Sequence, residues 1–217
     1  MGDTLPQGEN REAEMNSLAL QEARRAAALG EVPVGAVVCR NGEVISRAFN
    51  RREIDKNALA HAELLAIDEA CRKLGGWRLH ECDLYVTLEP CPMCAGAIVN
   101  ARIRRVIFGA RDPKAGCFGS LTDFQEIAFN HRPEVKGGVL KRECADILRR
   151  FFAELRRSRQ ATAGGVAPDK PEAFKVPGRG TCGKGRQRKE TYEEKDDDVD
   201  RKLIITSPAF ESETIIP

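Results

Sequence analysis

The sequence predicts an α/β protein whose mixed β-sheet is covered by helices. Three observations support this prediction: a β-hairpin near the start of the chain, strands that alternate with helices after it, and a hydrophobic content of 41% over 217 residues. A hairpin supplies antiparallel pairing, and strands separated by helices pair in parallel, so together they indicate a mixed sheet. The hydrophobic content is enough for one well-packed core, and we therefore expect one folded domain.

The first elements are an amphipathic helix and the hairpin. Residues 15–29 place apolar and alanine side chains in a helical pattern, and Gly30 follows as a C-cap would. Short β-rich runs at 34–39 and 44–49 flank an Asn-Gly pair at 41–42, which is the strongest two-residue hairpin signal. These signals predict the order helix, strand, turn, strand.

The rest of the chain alternates between the two types of element. Helices are predicted where apolar residues recur every three to four positions, and strands where short β-rich runs meet turn residues. The predicted elements are, in order, a helix at 60–74, a strand at 84–88, a short helix at 94–101, a strand at 106–108, a loop at 110–120 and a helix at 141–159.

The two ends of the chain differ from its middle in composition. Residues 1–14 are polar and acidic, and from residue 161 onward Gly, Pro and charged residues dominate. We therefore expect a polar segment at 1–14 and a folded domain at 15–160. A segment with the composition of residues 161–217 buries too little apolar surface to become ordered, so we expect a disordered tail there. The glycine-rich stretch at 178–185 lacks the Ser or Thr and the preceding strand of a phosphate-binding loop, so no nucleotide cofactor is expected.

Charge and cysteine content restrict the location and the partners. The formal net charge is only +2, so any contact with nucleic acid must come from a local basic face. Most of the eight cysteines are scattered, as is typical of buried thiols in a reducing compartment. No stretch approaches the roughly 18 apolar residues that a membrane span needs. We therefore expect a cytoplasmic protein that does not enter a membrane.

Two short motifs predict a metal site with a catalytic acid beside it. The first is His61-Ala62-Glu63, and the second places Cys91 and Cys94 within Pro-Cys-Pro-Met-Cys. Zinc binds imidazole nitrogen and thiolate sulfur, and catalytic zinc sites use three protein ligands and leave the fourth position to water. His61, Cys91 and Cys94 are therefore the predicted ligands of one Zn²⁺ per subunit, and Glu63 is the predicted proton carrier. A zinc knuckle or a redox pair is the alternative, but a knuckle needs another paired ligand set.

These motifs form the H-x-E and P-C-x-x-C signature of zinc-dependent nucleobase deaminases. From about residue 15 to 160 the chain resembles the bacterial tRNA-specific adenosine deaminases, within the cytidine and deoxycytidylate deaminase superfamily. The resemblance also includes Val-Pro-Val-Gly-Ala-Val-Val at 32–38, Leu-Tyr-Val-Thr-Leu-Glu-Pro at 84–90, and Phe-Gly-Ala-Arg-Asp at 108–112. It implies a three-layer α-β-α fold of the cytidine-deaminase type with a mixed sheet of about five strands. It also implies hydrolytic deamination of the wobble adenosine of a tRNA anticodon loop to inosine, by a homodimer.

The resemblance further implies residues that contact the substrate. Asn50 follows the second predicted strand, and its amide is expected to hold the target base, whereas an Asn in a turn is the ordinary alternative. Asp112 is expected near the target nucleotide, and Arg111 and Lys114 supply charges for phosphate and ribose; a solvated charge cluster is the alternative there.

The last predicted helix offers a further contact surface. Phe152 and Arg156 are expected to provide stacking and a phosphate contact beside the pocket, although one Phe of the pair at 151–152 should face the core.

Two other functions remain open from the sequence. One is a zinc-dependent deaminase of a free base or nucleoside of the cytidine or guanine type, which would share the same fold. The other is a non-catalytic zinc-binding subunit of an editing complex. Loss of the acid is typical of such subunits, and Glu63 is present.

Overall fold

A five-stranded mixed sheet lies at the centre of the computed structural model, which describes residues 7–163, with side chains described for 10–160. The strands are β1 (Gly35–Arg40), β2 (Glu43–Phe49), β3 (Cys82–Leu88), β4 (Arg105–Ala110) and β5 (Glu134–Gly137). The helices are α1 (Gln7–Ala28), α2 (Ala62–Leu74), α3 (Pro92–Asn100) and α4 (Lys141–Ala163).

The strands lie in the order β2-β1-β3-β4-β5. β1 pairs antiparallel with β2 and β3, whereas β3 with β4 and β4 with β5 are parallel. The turn between β1 and β2 has positive φ at both Asn41 (50°) and Gly42 (82°), as a type I′ hairpin turn requires. The predicted hairpin and the predicted mixed sheet are therefore confirmed.

Side chains of the strands alternate between two helical layers. On one face, Val37, Tyr85 and Ile107 pack with Met15 and Ala19 of α1. α4 joins this layer through Cys144, which packs beside Leu20 and Ala110. The opposite face packs against α2 and α3 through a larger cluster that includes Val38, Leu84, Val86, Val106, Phe108, Ala66 and Ile98. The fold is thus the three-layer α-β-α arrangement that the resemblance implied.

Helix α1 begins at Gln7 rather than at residue 15. Glu12, in the added part of the helix, is buried. It forms ion pairs with Arg105 of β4 (2.5 Å) and Lys136 of β5 (2.7 Å). The polar composition of this segment gave no helical pattern, but the contacts with the sheet stabilise it as a helix.

Strand β5 was not among the predicted elements, although about five strands were expected in total. Its residues are exposed or half-buried in the pattern exposed, intermediate, intermediate, exposed, which lacks the apolar alternation of an ordinary strand. It is ordered by parallel pairing with β4, where the ring of Phe108 packs closely on Gly137. Backbone pairing of this kind leaves little trace in the sequence.

The predicted tail and the glycine-rich stretch at 178–185 lie outside the described residues, except that α4 extends to Ala163. Among the described helices, none is long and apolar enough to cross a membrane.

Candidate metal centre and active site

The three predicted metal ligands come together where two helices begin. His61 is the N-cap residue of α2, Cys91 is the N-cap residue of α3, and Cys94 lies in the first turn of α3. The His61 Nδ1 atom is 3.7 Å from Cys91 Sγ and 3.6 Å from Cys94 Sγ. All three ligand atoms lie within 4.8 Å of one another.

These distances fit a tetrahedral zinc ion. Zinc lies about 2.3 Å from sulfur and about 2.0–2.1 Å from nitrogen, so a tetrahedral angle places the two ligand atoms roughly 3.6 Å apart. The measured separations agree with this value, and borderline-soft N and S donors are the set that zinc prefers. The structure thus contains a His-Cys-Cys site with the geometry of a three-ligand metal centre.

The local electrostatics favour thiolate at this site. The N-termini of α2 and α3 both point at the ligands, so backbone N–H groups and helix dipoles stabilise negative charge there. Hydrogen bonding with Cys94, helped by His61, lowers the pKa of Cys91 to about 4 despite its burial. The partner thiol, Cys94, has a raised pKa because its hydrogen bond with Cys91 and its burial both favour the protonated form. A bound cation would displace this proton and hold both sulfurs as thiolates.

Glu63 lies in the first turn of α2, two residues after the histidine ligand, and is only 4% exposed. Burial raises the pKa of its carboxyl group above the ordinary value, because the charged form loses its hydration. A buried carboxyl with a raised pKa holds a proton more readily than an ordinary glutamate does, which favours its use as an acid as well as a base. This is the property that the predicted proton carrier needs.

A small cavity opens beside the metal ligands. Its volume is about 160 Å³, and its walls come from the loop between α1 and β1, the segment after β2, the start of α2, the end of β3 with the residues that follow it, and the segment after β4. The predicted site residues among its walls are Asn50, His61, Glu63, Cys91 and Asp112. Sequence reasoning missed the other residues that line it, which are Val32, Val34, Arg52, Leu88, Glu89 and Ala115.

Asn50 is held in the cavity wall by a buried carboxylate. Its Nδ2 atom donates to Glu31 Oε2 at 3.0 Å, and Glu31 Oε1 accepts the Ile54 backbone N–H at 2.7 Å. Glu31 is fully buried. The hydrogen bond fixes the orientation of the Asn50 amide. The amide oxygen and the second N–H of Nδ2 are then available to a base in the cavity.

The other predicted substrate residues do not line the cavity. The guanidinium of Arg111 lies 5.8 Å from the centroid of the Phe108 ring, and the Lys114 backbone N–H donates to Asp112 Oδ1 at 2.9 Å. On α4, Phe152 is 39% exposed and packs edge-on to Phe151, and Arg156 is exposed. Their contacts with a nucleic acid stay predictions, since such contacts would form outside the cavity.

Glu31 and Glu89 could have been found from one signal in the sequence. Each carboxylate stands directly beside an apolar run, Glu31 before β1 and Glu89 after β3, and a charge in such a place is rarely left unpaired. Their partners, however, are distant along the chain and could not be identified without the fold.

Comparisons with known proteins assign this chain to a protein family. The model of the MafB19-like deaminase family matches residues 10–156. This chain belongs to that family. The match includes every ligand and cavity residue described above.

Two bacterial relatives share most of their length with this deaminase. The tRNA-specific adenosine deaminase of Bacillus subtilis is 56% identical over 144 residues, which are 66% of this chain and 89% of the relative. The enzyme of the same name from Agrobacterium fabrum is 50% identical over 140 residues, or 64% of this chain and 92% of the relative.

A solved structure supports the same assignment. It comes from a study of A-to-I editing by tRNA:A34 deaminases at the wobble position of transfer RNA. It is 48% identical, with a TM-score of 0.60, and the match covers 62% of this chain and 99% of that one. The fold and the family predicted from the sequence are therefore confirmed.

Proposed function

We propose that this deaminase converts the wobble adenosine of a tRNA anticodon to inosine, with one zinc ion per subunit. One observation carries the proposal: a His-Cys-Cys site and the buried Glu63 share a small cavity in a chain that is 56% identical to a tRNA-specific adenosine deaminase. The reaction adds one water molecule and releases one ammonia molecule.

His61, Cys91 and Cys94 are the residues that would hold the metal. When bound there, zinc would lower the pKa of a water molecule to about 7 and so supply a nucleophile at neutral pH. Glu63 would accept a proton from the attacking water and deliver it to adenine N1 as the oxygen adds to C6. The same carboxyl group then carries the second proton to the departing amino group, which leaves as ammonia.

The size of the cavity supports a base as the bound group. A volume of 160 Å³ is below the about 300–1,000 Å³ of pockets that enclose a whole drug-sized ligand. A base fits inside it, while ribose and phosphate remain at the mouth near Asp112 and Arg52. Enzymes of this kind take the target base out of its stack, and an anticodon loop presents unpaired bases at low cost.

The proposal includes a homodimer that acts in the cytoplasm, where its tRNA substrate is found. Exposed apolar side chains support a protein interface near the site. Leu59 is 58% exposed just before the metal ligand His61, and Leu121 is 61% exposed at the end of the segment that follows the cavity wall. Large apolar side chains left exposed to solvent are typical of a surface that another subunit covers.

The decisive experiment measures deamination of three substrates by the purified full-length protein, as inosine formed from adenosine or uridine formed from cytidine. The substrates are a tRNA transcript with adenosine at the wobble position, free adenosine and free cytidine. We expect inosine in the tRNA at the wobble position alone, loss of activity with a chelator, and recovery with zinc. Turnover of a free nucleoside would instead assign a salvage activity, and inactivity of the zinc-loaded protein on all three substrates would indicate a non-catalytic zinc-binding subunit.

A further inference from the structure

The segment from Asp112 to Ser120 closes one side of the cavity and is attached to a single buried side chain. Glu89 follows β3, is 2% exposed and lies two residues before the metal ligand Cys91. Its Oε1 atom accepts the backbone N–H groups of Phe118 (2.9 Å) and Ser120 (3.1 Å). Its Oε2 atom accepts the Asp112 N–H (3.2 Å) and the Ser120 hydroxyl.

All four of these partners donate to Glu89. A carboxylate is an acceptor-only group with about four lone-pair positions, so it matches this set of donors, whereas an amide would oppose donor to donor at one of its two atoms. Buried hydrogen bonds to a charged group are among the stronger ones in proteins. The contact therefore orders the whole segment rather than one residue of it.

The backbone around Glu89 is adapted to this contact. A Cβ atom at Gly116 would lie 2.4 Å from Glu89 Cδ and 2.7 Å from the Asp112 carbonyl oxygen. The Cys117 N–H donates to the Pro90 carbonyl at 3.0 Å, next to the carboxylate. Only a residue without a side chain lets the segment approach Glu89 this closely.

The result of this attachment is the fixed position of Asp112. Its N–H donates to Glu89, its Oδ1 accepts the Lys114 N–H at 2.9 Å, and its carbonyl accepts the Gly116 N–H at 2.8 Å. With those three atoms engaged, Oδ2 is the polar atom of Asp112 that is left for a ligand in the cavity it lines.

We propose that Glu89 is a positioning residue for substrate binding, which holds Asp112 and the segment to Ser120 against the cavity that receives the target nucleotide. This inference rests on the proposed function, because it takes Asp112 as a substrate contact. Glu89 does not touch the reacting atoms and acts through Asp112.

The main test compares Glu89→Gln with the unaltered protein on the wobble-adenosine tRNA. The glutamine keeps an oxygen for the Phe118 and Ser120 amides but presents an N–H₂ group to the Asp112 N–H. We expect KM to rise about 10- to 100-fold, the range for loss of a hydrogen bond to a buried charged group, while kcat changes little and zinc remains at one per chain. Glu126→Gln is the matched control, because Glu126 is exposed in a nearby loop, and its KM should not change.

A double-mutant cycle tests whether Glu89 acts through Asp112. We expect Glu89→Gln to add nothing once Asp112→Ala is present, because both changes remove the same interaction with the substrate. Additive effects, or a fall in kcat together with zinc loss, would overturn the proposal; the second outcome would mean that Glu89 supports Cys91 instead.

A second variant covers the case in which Glu89→Gln fails to fold. Gly116→Ala pushes the segment away from Glu89 without changing any charge, and it should raise KM in the same way. An unchanged KM in that variant would overturn the proposal.

Hydrogen exchange separates this inference from the proposed function. Glu89→Gln should lose exchange protection at the Asp112 amide while the Phe118 amide stays protected. If the unaltered protein forms no inosine, the proposed function fails, but this exchange pattern still reports whether Glu89 holds the segment.

Discussion

At the residue scale, Glu63 differs from its neighbours in the site because it is buried beside the metal ligands without being one of them. Among the described residues, the metal-site geometry includes His61, Cys91 and Cys94 and leaves this carboxyl outside the ligand set. Its raised pKa results from burial, and a helix N-terminus lies beside it. In the proposed function, zinc binding and proton transfer are separate tasks of adjacent side chains, and mutation can distinguish them.

We expect Glu63→Ala to lower kcat for inosine formation by about 10²- to 10⁴-fold or more, because a positioned acid-base group contributes on that order. Zinc content and tRNA binding should persist, as measured by metal analysis and filter binding. Glu69→Ala, on the solvent side of the same helix, is the matched control and should leave kcat unchanged. Loss of zinc in the Glu63 variant would contradict the role given to this residue.

At the element scale, the start of α1 depends on contacts with strands β4 and β5. Burial raises the pKa of Glu12, but hydrogen bonds with Lys136 and Arg105 lower it more, so the pKa lies below its ordinary value of 4.5. A carboxyl with a depressed pKa in the folded state stabilises the protein above its unfolded pKa and loses that contribution as the pH falls. The ion pairs of Glu12 should therefore matter at neutral pH and disappear in acid.

We expect Glu12→Gln to reduce the free energy of unfolding by about 1–3 kcal/mol at pH 7, since it leaves two cations with a neutral partner. The difference from the unaltered protein should shrink as the pH falls below about 4.5, the ordinary pKa of this carboxyl in the unfolded chain, and should be lost below the lower pKa that Glu12 has in the folded protein. Urea unfolding between pH 7 and 3.5 measures this. A difference that is constant with pH would show that Glu12 stabilises α1 by packing alone.

The contact between α1 and β1 is unusually close and depends on Gly35. A Cβ atom there would lie 2.1 Å from the Ala19 carbonyl oxygen and 2.6 Å from the Ala23 nitrogen, both backbone atoms of α1. The helix must move if any side chain is added.

Gly35→Ala should lower the free energy of unfolding by about 1–3 kcal/mol or more, the usual cost of overpacking. Gly76→Ala is the control, because a Cβ at Gly76 meets nothing within 4 Å and its φ is not positive. Thermal unfolding of the two variants would contradict the prediction if it gave the same melting temperature for both.

At the scale of the whole molecule, the core of the described residues does not need the end of the chain. The buried hydrophobic side chains run from Met15 to Cys144, and the family match ends at residue 156. The predicted boundary near residue 160 stays a prediction, and these observations are the reason to test it by truncation.

We expect a chain that ends after Ala163 to fold and to form inosine at the same rate as the full chain. A chain that ends after residue 140 is the control, and it should lose solubility because α4 no longer covers Leu20 and Ala110. Kinetics and circular dichroism measure both outcomes. A loss of tRNA turnover with an intact fold in the longer variant would instead give the tail a role in RNA binding.

The sequence by itself determined the hairpin and the type of fold, and it predicted the metal ligands and the proton carrier. These features have strong local signals: His61 and Glu63 are two positions apart, Cys91 and Cys94 three apart, and the Asn-Gly turn lies between two apolar runs. Zinc chemistry and hairpin geometry restrict both residue type and spacing, so a few adjacent positions are enough.

Only the tertiary structure decided which distant groups pair with the buried carboxylates. Glu89 meets Asp112 and Ser120 at separations of 23 and 31 residues, and Glu12 meets Arg105 at a separation of 93. Buried polar groups must find partners, but the sequence does not say which distant donor the packed chain will bring to each acceptor. Strand β5 could not be predicted for the same reason, because it is ordered by pairing with β4 and not by an apolar pattern of its own.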